Sequence, residues 1–287
     1  MRERFEDHLS NEIEKYKGLA FPVKCGPLHR LLFASTNIMK LHPNPDDEFT
    51  KPEVGPSFRI ISEYETQLRY HPEVGFERLI VEKMHPDGYL IINGHHRWAA
   101  FYRLGYKRVP IEIVNMAHED DIIKMIEKAT NDRRVTLDLD EVVFCGSDDD
   151  PAEAKPGFPF GYFFKERIRL GIPALFHYLS SNGYDIWVYS SKFYSIDYIR
   201  NFMKRYHVNV TGIVTGIGKK NNRNEKAQKN IENMMADKYK YTLNVDDDTV
   251  LLINNETKDF VEHKINKEKV NWSQGVMNII EQLKEDA

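Results

Sequence analysis

The sequence predicts an α/β protein built from two domains, and three observations point there. The length, 287 residues, is about two units of the ~100–200 residues usual for one domain. The back half alternates strand-like apolar runs with longer helical ones, the pattern of a parallel sheet with helices on both faces. The front half groups short strand signals around one glycine turn and one helix. With 41% hydrophobic and 29% charged residues, the composition is that of a folded globular chain and excludes wholesale disorder.

In the front half, Phe5, Leu9 and Ile13 recur every four residues and Gly18 ends the run, which predicts a helix. Leu31–Phe33 reads as a short buried strand. A loop of turn formers and acids follows, from His42 to Pro52, and carries Asp46, Asp47 and Glu48. Arg78–Met84 and Tyr89–Ile92 read as strands joined by a turn at His85–Gly88. A helix follows over His96–Leu104, stopped by Gly105; then come a strand, Arg108–Val114, and a helix, Glu119–Ala129. The pattern changes near Asn131, which sets domains at 1–130 and 131–287. Strands are expected at Val135–Leu139, Ile186–Tyr189, Val210–Val214 and Tyr241–Val245. Helices are expected at Ile172–Ser181, Ile196–Tyr206, Glu225–Ala236 and Ser273–Lys284.

The formal charge of −4 argues against nucleic-acid binding by bulk charge. Cys25 and Cys145 are too few for a disulfide scaffold or a four-cysteine zinc site. No apolar run approaches the ~18–20 residues that cross a bilayer, and the charged start lacks a signal core. A cytoplasmic protein with no membrane partner is expected.

Asp138 and Asp140 lie two apart at the end of an apolar strand, so an extended chain points both to one side. Strand C-termini are where open parallel sheets bind ligands. Two close carboxylates repel unless a proton or cation lies between them, and Mg²⁺ suits oxygen ligands. Alone, the pair equally suits a solvated strand end. Ser190 ends a second strand, and its hydroxyl suits a phosphoryl oxygen, although serines there are also common turn formers. Lys219, Lys220 and Lys226 suit a phosphoryl group as point charges or simply solvate the surface. Asp246, Asp247 and Asp248 end a further strand, where metal binding is favoured over an exposed turn.

In this order, Asp138/Asp140, Ser190, a lysine among Lys219, Lys220 and Lys226, and Asp246/Asp247 resemble the haloacid dehalogenase superfamily from about Arg134 onward. The resemblance implies a Rossmannoid three-layer domain with a parallel sheet. It also implies a phosphatase in which Asp138 attacks phosphorus and Asp140 serves as acid, then base. Mg²⁺ would be held by Asp138, the Asp140 carbonyl and Asp246, with Asp247 in or next to its coordination sphere. Ser190 and a lysine such as Lys220 or Lys226 would hold the transferring oxygens. Phe158–Phe164 sits in the short interval between Asp140 and Ser190. Its rings suit stacking on a base or sugar, or a core segment.

Asn93-Gly94-His95-His96-Arg97 reads as a strand end, a glycine turn and a helix start, a cradle for phosphate at a helix N-terminus. A capped helix with surface basic residues would read the same way. With Tyr102–Gly105 and Val109–Ile113, this stretch resembles the ParB/sulfiredoxin superfamily. The resemblance implies an α+β domain that binds a nucleotide (ATP, ADP or CTP) at this turn. Free serine kinases share Gly-His-His-Arg but carry an Asp before the glycine, where this chain has Asn93. A neutral amide takes no proton at physiological pH; Asp46, Asp47 or Glu48 are the substitutes in reach of the loop, which otherwise reads as solvated.

The expected function is thus a Mg²⁺-dependent phosphate-ester hydrolase acting on a phosphorylated small molecule or nucleotide. The alternatives are a bifunctional kinase and phosphatase whose front domain phosphorylates a small hydroxyl compound, and a nucleotide-dependent nucleic-acid binder, which the charge disfavours.

Overall fold

The computed structural model describes residues 3–15, 21–71, 77–147, 150–216, 225–265 and 271–285. It divides into one compact unit over Met1–Asn115 and a second over Met116–Lys219 and Glu225–Ala287.

In the first unit, α1 (Phe5–Lys15) precedes β1 (Phe21–Pro22), α2 (Pro27–Leu32), β2 (Ser35–Asn37) and β3 (Leu41–Pro43). Then come α3 (Phe58–Tyr70), β4 (Leu79–His85), β5 (Tyr89–Asn93), α4 (His95–Arg103) and β6 (Arg108–Ile113). The sheet order is β2-β6-β4-β5-β3, with β1 also on β4. It is mixed: β4/β6 and β3/β5 are parallel, and the other pairs antiparallel. Helix α4 is buried on nearly every side, from His95 through Tyr102, because Ala99 and Ala100 let its neighbours approach closely. Trp98 and Phe101 fill the core beside Ile38, Phe49, Ile61 and Leu79. A helix sunk this deeply fixes the position of its own N-terminus.

The strand expected over Leu31–Phe33 is corrected: the chain there is the end of α2. Pro27 starts that helix with its preset φ, and Leu31 and Leu32 are 63% and 73% exposed rather than buried. A three-residue apolar run carries no period that tells strand from helix.

The second unit runs α5 (Glu119–Lys128), β7 (Arg133–Asp138), α6 (Ile172–Ser181), β8 (Tyr184–Ser190), α7 (Ile196–Arg205) and β9 (Gly212–Thr215). It continues with α8 (Glu225–Lys238), β10 (Tyr241–Val245), β11 (Thr249–Asn254), β12 (Phe260–Lys264) and α9 (Trp272–Glu285). The sheet order is β12-β11-β10-β7-β8-β9. The four strands β10, β7, β8 and β9 are parallel, as their alternation with helices predicts. The sheet is nevertheless mixed, because β11 and β12 add antiparallel strands at one edge. Only Asp246–Asp248 separates β10 from β11, too short for the crossover a parallel strand needs. Helix α5 buries Ile122, Met125 and Ile126 in this second core, so the unit begins ahead of residue 131. Among the described residues no helix is long and apolar enough to cross a membrane.

Candidate functional site

At the end of β5 the chain turns through Gly94 into α4. Gly94 stands at φ 101°, ψ 24° and carries no side-chain cap for the helix, a conformation that side-chain-bearing residues disfavour. A Cβ there would lie 2.7 Å from Leu79 Cδ2 and 3.1 Å from Arg97 Nη2, so the glycine also makes room for Arg97. The first intrahelical bond runs from Trp98 N–H to the Gly94 carbonyl. The N–H groups of His95, His96 and Arg97 precede it and have no partner within the helix. The Arg97 side chain is only 10% exposed. It donates through Nη1 to the Glu77 carbonyl at 2.9 Å and pairs with the Glu77 carboxylate at 2.8 Å. Its Nε is buried without a hydrogen-bond partner. A buried guanidinium beside an uncapped helix N-terminus gathers fixed and partial positive charge in one place.

The two histidines hold the acidic loop against this turn. His95 Nε2 accepts the Asn44 N–H at 3.1 Å, and His96 Nε2 accepts the Ser57 N–H at 3.1 Å. Each proton therefore sits on Nδ1 when the ring is neutral. Burial lowers His95 to about 4, against the upward pull of Asp47, and also lowers His96. Both rings are thus neutral acceptors that tether residues 44–57, rather than cationic phosphate donors. His95 Nδ1 lies 3.6 Å from Asp47 Oδ2. Asp47 Oδ1 accepts the Phe49 N–H at 2.9 Å, and the single Thr50 hydroxyl proton has the carbonyls of Asn44, Pro45 and Asp47 within hydrogen-bond reach. The Phe49 ring packs edge-on against His96 and tilted on His95. Asp47 is thereby presented at the rim, its side chain 25% exposed, while Asp46 stays exposed.

A second polar cluster lies at the strand ends of the other unit. Leu137 of β7 pairs with Val245 of β10, so Asp138 and Asp246 leave adjacent strands side by side. Asp138 Oδ1 accepts the N–H groups of Asp140 and Glu141 and caps the π-helical turn Leu139–Val143. Asp140 Oδ2 accepts from Ser190 Oγ at 2.8 Å, Ser191 N at 3.0 Å and Ser191 Oγ at 3.2 Å, and Oδ1 faces Lys192 Nζ at 3.4 Å. Lys192 was missed by sequence reasoning; its only signal was its place two residues beyond Ser190. Asp247 turns away to Arg169 Nη1 at 2.6 Å. Lys219 and Lys220 lie outside the described residues, as does the Lys226 side chain.

On the resemblance Mg²⁺ would be held by Asp138, the Asp140 carbonyl and Asp246; the Asp140 carboxylate is engaged by Ser190 and Ser191 through Oδ2 while its buried Oδ1 makes no hydrogen bond, and Asp247 pairs with Arg169. Among the described residues no three His, Cys, Asp or Glu side chains form a group that could hold a metal ion. No step is therefore assigned to a metal here.

Comparison with known proteins places the front site in a family context. Residues 75–129 match the ParB N-terminal domain. Two curated relatives are ATP-dependent L-serine kinases: one from Staphylothermus marinus, 50% identical over 38 residues, and one from Desulfurococcus mucosus, 47% identical over 38 residues. Each match covers 13% of this chain and 15% of the relative, so the chain spans about a seventh of these relatives' length. Among solved structures, a C-terminally truncated chromosome-partitioning protein ParB from Caulobacter crescentus, complexed with CTP-gamma-S, is 25% identical. That match covers 34% of this chain and 54% of the ParB chain, at a TM-score of 0.24.

These findings correct the expected hydrolase: the curated relatives are kinases by name, and kinases are transferases. The family match ends at residue 129 and lends nothing to a haloacid dehalogenase assignment for the second unit. The chain carries a ParB-like domain, and the Gly94–Arg97 turn lies inside it.

Proposed function

We infer that the ParB-like domain binds a nucleotide with its phosphates at the N-terminus of α4 and transfers a phosphoryl group to a small hydroxyl compound. One observation carries this reading: the Arg97 guanidinium, nine-tenths buried, keeps an unpartnered Nε beside an uncapped helix start. That charge is paired with Glu77, and the positive end of α4 beside it favours an anion at the turn. The short matches to ATP-dependent L-serine kinases support a nucleoside triphosphate as donor and a hydroxy amino acid as acceptor.

Phosphoryl transfer asks mainly for positioning and charge neutralisation. The helix N–H groups and Arg97 would hold the phosphate oxygens. An acceptor hydroxyl oxygen attacks the terminal phosphorus, the bond to the bridging oxygen breaks, and the nucleoside diphosphate leaves. The hydroxyl proton passes to a carboxylate at the rim. Asp47 suits that role because the Phe49 N–H fixes its carboxylate at the rim beside His95, whereas the Asn93 amide cannot take a proton. The test is to incubate the full chain with ATP, ADP or CTP as magnesium complexes and with L-serine or other hydroxy amino acids, following products by phosphorus NMR. A phosphomonoester that is lost in Asp47→Asn, while nucleotide binding persists, supports the reading. Nucleotide binding with no phosphorylated product from any acceptor overturns the transfer step.

A further inference from the structure

Helix α2 turns its apolar side outward. Leu28, Leu31 and Leu32 follow the i, i+3, i+4 spacing that lines side chains along one side of a helix, and they are 73%, 63% and 73% exposed. Phe33, at the C-cap, is 46% exposed. The polar residues between them reach back to the protein. His29 Nε2 lies 3.2 Å from the Tyr89 hydroxyl, and its ring stacks on Phe33 at 4.4 Å. Arg30 Nη1 donates to the Cys25 carbonyl at 3.4 Å. The usual order of a surface helix, apolar side in and polar side out, is reversed.

The segment is fixed at both ends. Ahead of α2, the Cys25 N–H donates to Asn115 Oδ1 at 3.0 Å, and Asn115 Nδ2 donates to the Cys25 carbonyl at 2.9 Å. Behind it, the Ala34 carbonyl accepts the Ile111 N–H at 3.0 Å, and Arg108 Nη2 donates to the Ser35 carbonyl and hydroxyl, both at 2.9 Å. Four large apolar side chains exposed within six residues, on an anchored segment, mark a binding surface rather than a stray apolar residue.

The charge around this face is positive. Residues 21–45 hold Lys24, Arg30 and Lys40 and contain no Asp or Glu. The neighbouring strands add Lys83, whose carbonyl takes the Val23 N–H, Lys107, whose carbonyl takes the Ile38 N–H, and Arg108, opposite Asn37. Against these six cations stand three carboxylates: Asp87, paired with Lys40 at 3.5 Å, the buried Glu82, and the exposed Glu112 beside Ile111. The excess is positive in a chain whose formal charge is −4.

That combination selects the occupant. A second copy of this chain would set the same cations against themselves. A nucleic-acid strand would find aliphatic leucines where it needs rings to stack on. A partner helix needs a groove to lie in, whereas α2 buries none of its six residues and projects its leucines. An anionic lipid surface takes both features, because the headgroup boundary yields to projecting apolar side chains and its charge attracts Lys and Arg.

We propose that α2 and its basic surround dock on an anionic lipid surface, with Leu28, Leu31, Leu32 and Phe33 entering the headgroup boundary and Lys24, Arg30, Lys107 and Arg108 against the headgroups. The expectation of no membrane partner rests on the want of a spanning segment, and docking of this kind needs none.

The test is co-sedimentation of the full chain with vesicles of equal parts phosphatidylglycerol and phosphatidylcholine, and with vesicles of phosphatidylcholine alone, across a salt series. The expected result is binding to the anionic vesicles that weakens as salt rises. Leu28→Ala/Leu32→Ala should lose at least about tenfold in partitioning. Lys24→Gln/Lys107→Gln should lose roughly fivefold per charge at low salt and show a flatter salt dependence. All four side chains are exposed, and unchanged thermal midpoints would show that both variants remain folded. No binding to anionic vesicles at low salt overturns the proposal, as do equal binding to phosphatidylcholine alone and equal binding by the leucine variant. Self-association that disappears in the leucine variant, without vesicle binding, overturns it in favour of a second copy of this chain.

Discussion

His95 Nδ1 faces Asp47 Oδ2 at 3.6 Å while its Nε2 takes the Asn44 N–H at 3.1 Å. One neutral ring thus ties a helix start to an acidic loop through the Asn44 N–H, with the Asp47 carboxylate beside its other nitrogen.

The neutrality of that ring has a pH signature. Burial lowers His95 from 6.5 to about 4, so between these values the unfolded chain holds a proton that the folded ring refuses. Its stabilising contribution is complete above about pH 6.5, declines as pH falls, and is gone below about 4, a change of roughly 3 kcal/mol. The burial of His96 acts in the same direction. In an NMR titration the His95 ring signals should stay unchanged down to about pH 5; a midpoint near 6.5 would contradict a buried neutral imidazole.

Gly94→Ala should be more damaging than Gly105→Ala. Both glycines have positive φ, 101° and 82°, so both variants suffer backbone strain of about 1–3 kcal/mol. Only at Gly94 would the new Cβ also press on Leu79 and Arg97; Gly105 opens to space. Urea unfolding should show the larger loss for Gly94→Ala, and nucleotide affinity should fall in that variant alone. Equal effects on both would detach the turn from the guanidinium.

Gly212→Ala should destabilise the second unit by at least about 1–3 kcal/mol through overpacking alone. The added Cβ would fall 2.0 Å from the Trp187 ring, which is fully buried and donates to Tyr239 OH at 2.9 Å. Tyr239 in turn donates to Asp185, so a displaced ring disturbs a buried polar chain. Thermal unfolding followed by near-ultraviolet circular dichroism would read the loss at this tryptophan.

The periodic elements were legible in the sequence, and the polar partners were not. The four parallel strands announce themselves by apolar runs between helical segments, and Gly94 with Gly105 brackets α4. Helix α3 escaped because it buries only Ile61 and Leu68 along a polar segment. Strand β12 escaped because four of its five residues are exposed and no alternation shows. His95 and His96 stand next to the glycine turn and so read as phosphate donors. Their real partners, the N–H groups of Asn44 and Ser57, lie 51 and 39 residues away, beyond any local signal. Asp247 likewise reads as a free acid until Arg169, 78 residues earlier, is seen against it.

The most direct measurement is an amide NMR titration of the full chain with ATP, repeated on Arg97→Ala. If the phosphates sit on the helix start, the N–H signals of Gly94 through Arg97 shift on adding nucleotide, and the Arg97→Ala chain loses at least about tenfold in affinity, the weight of one charged hydrogen bond. Nucleotide that leaves those four amides unmoved, or that binds the variant as tightly, would contradict the account.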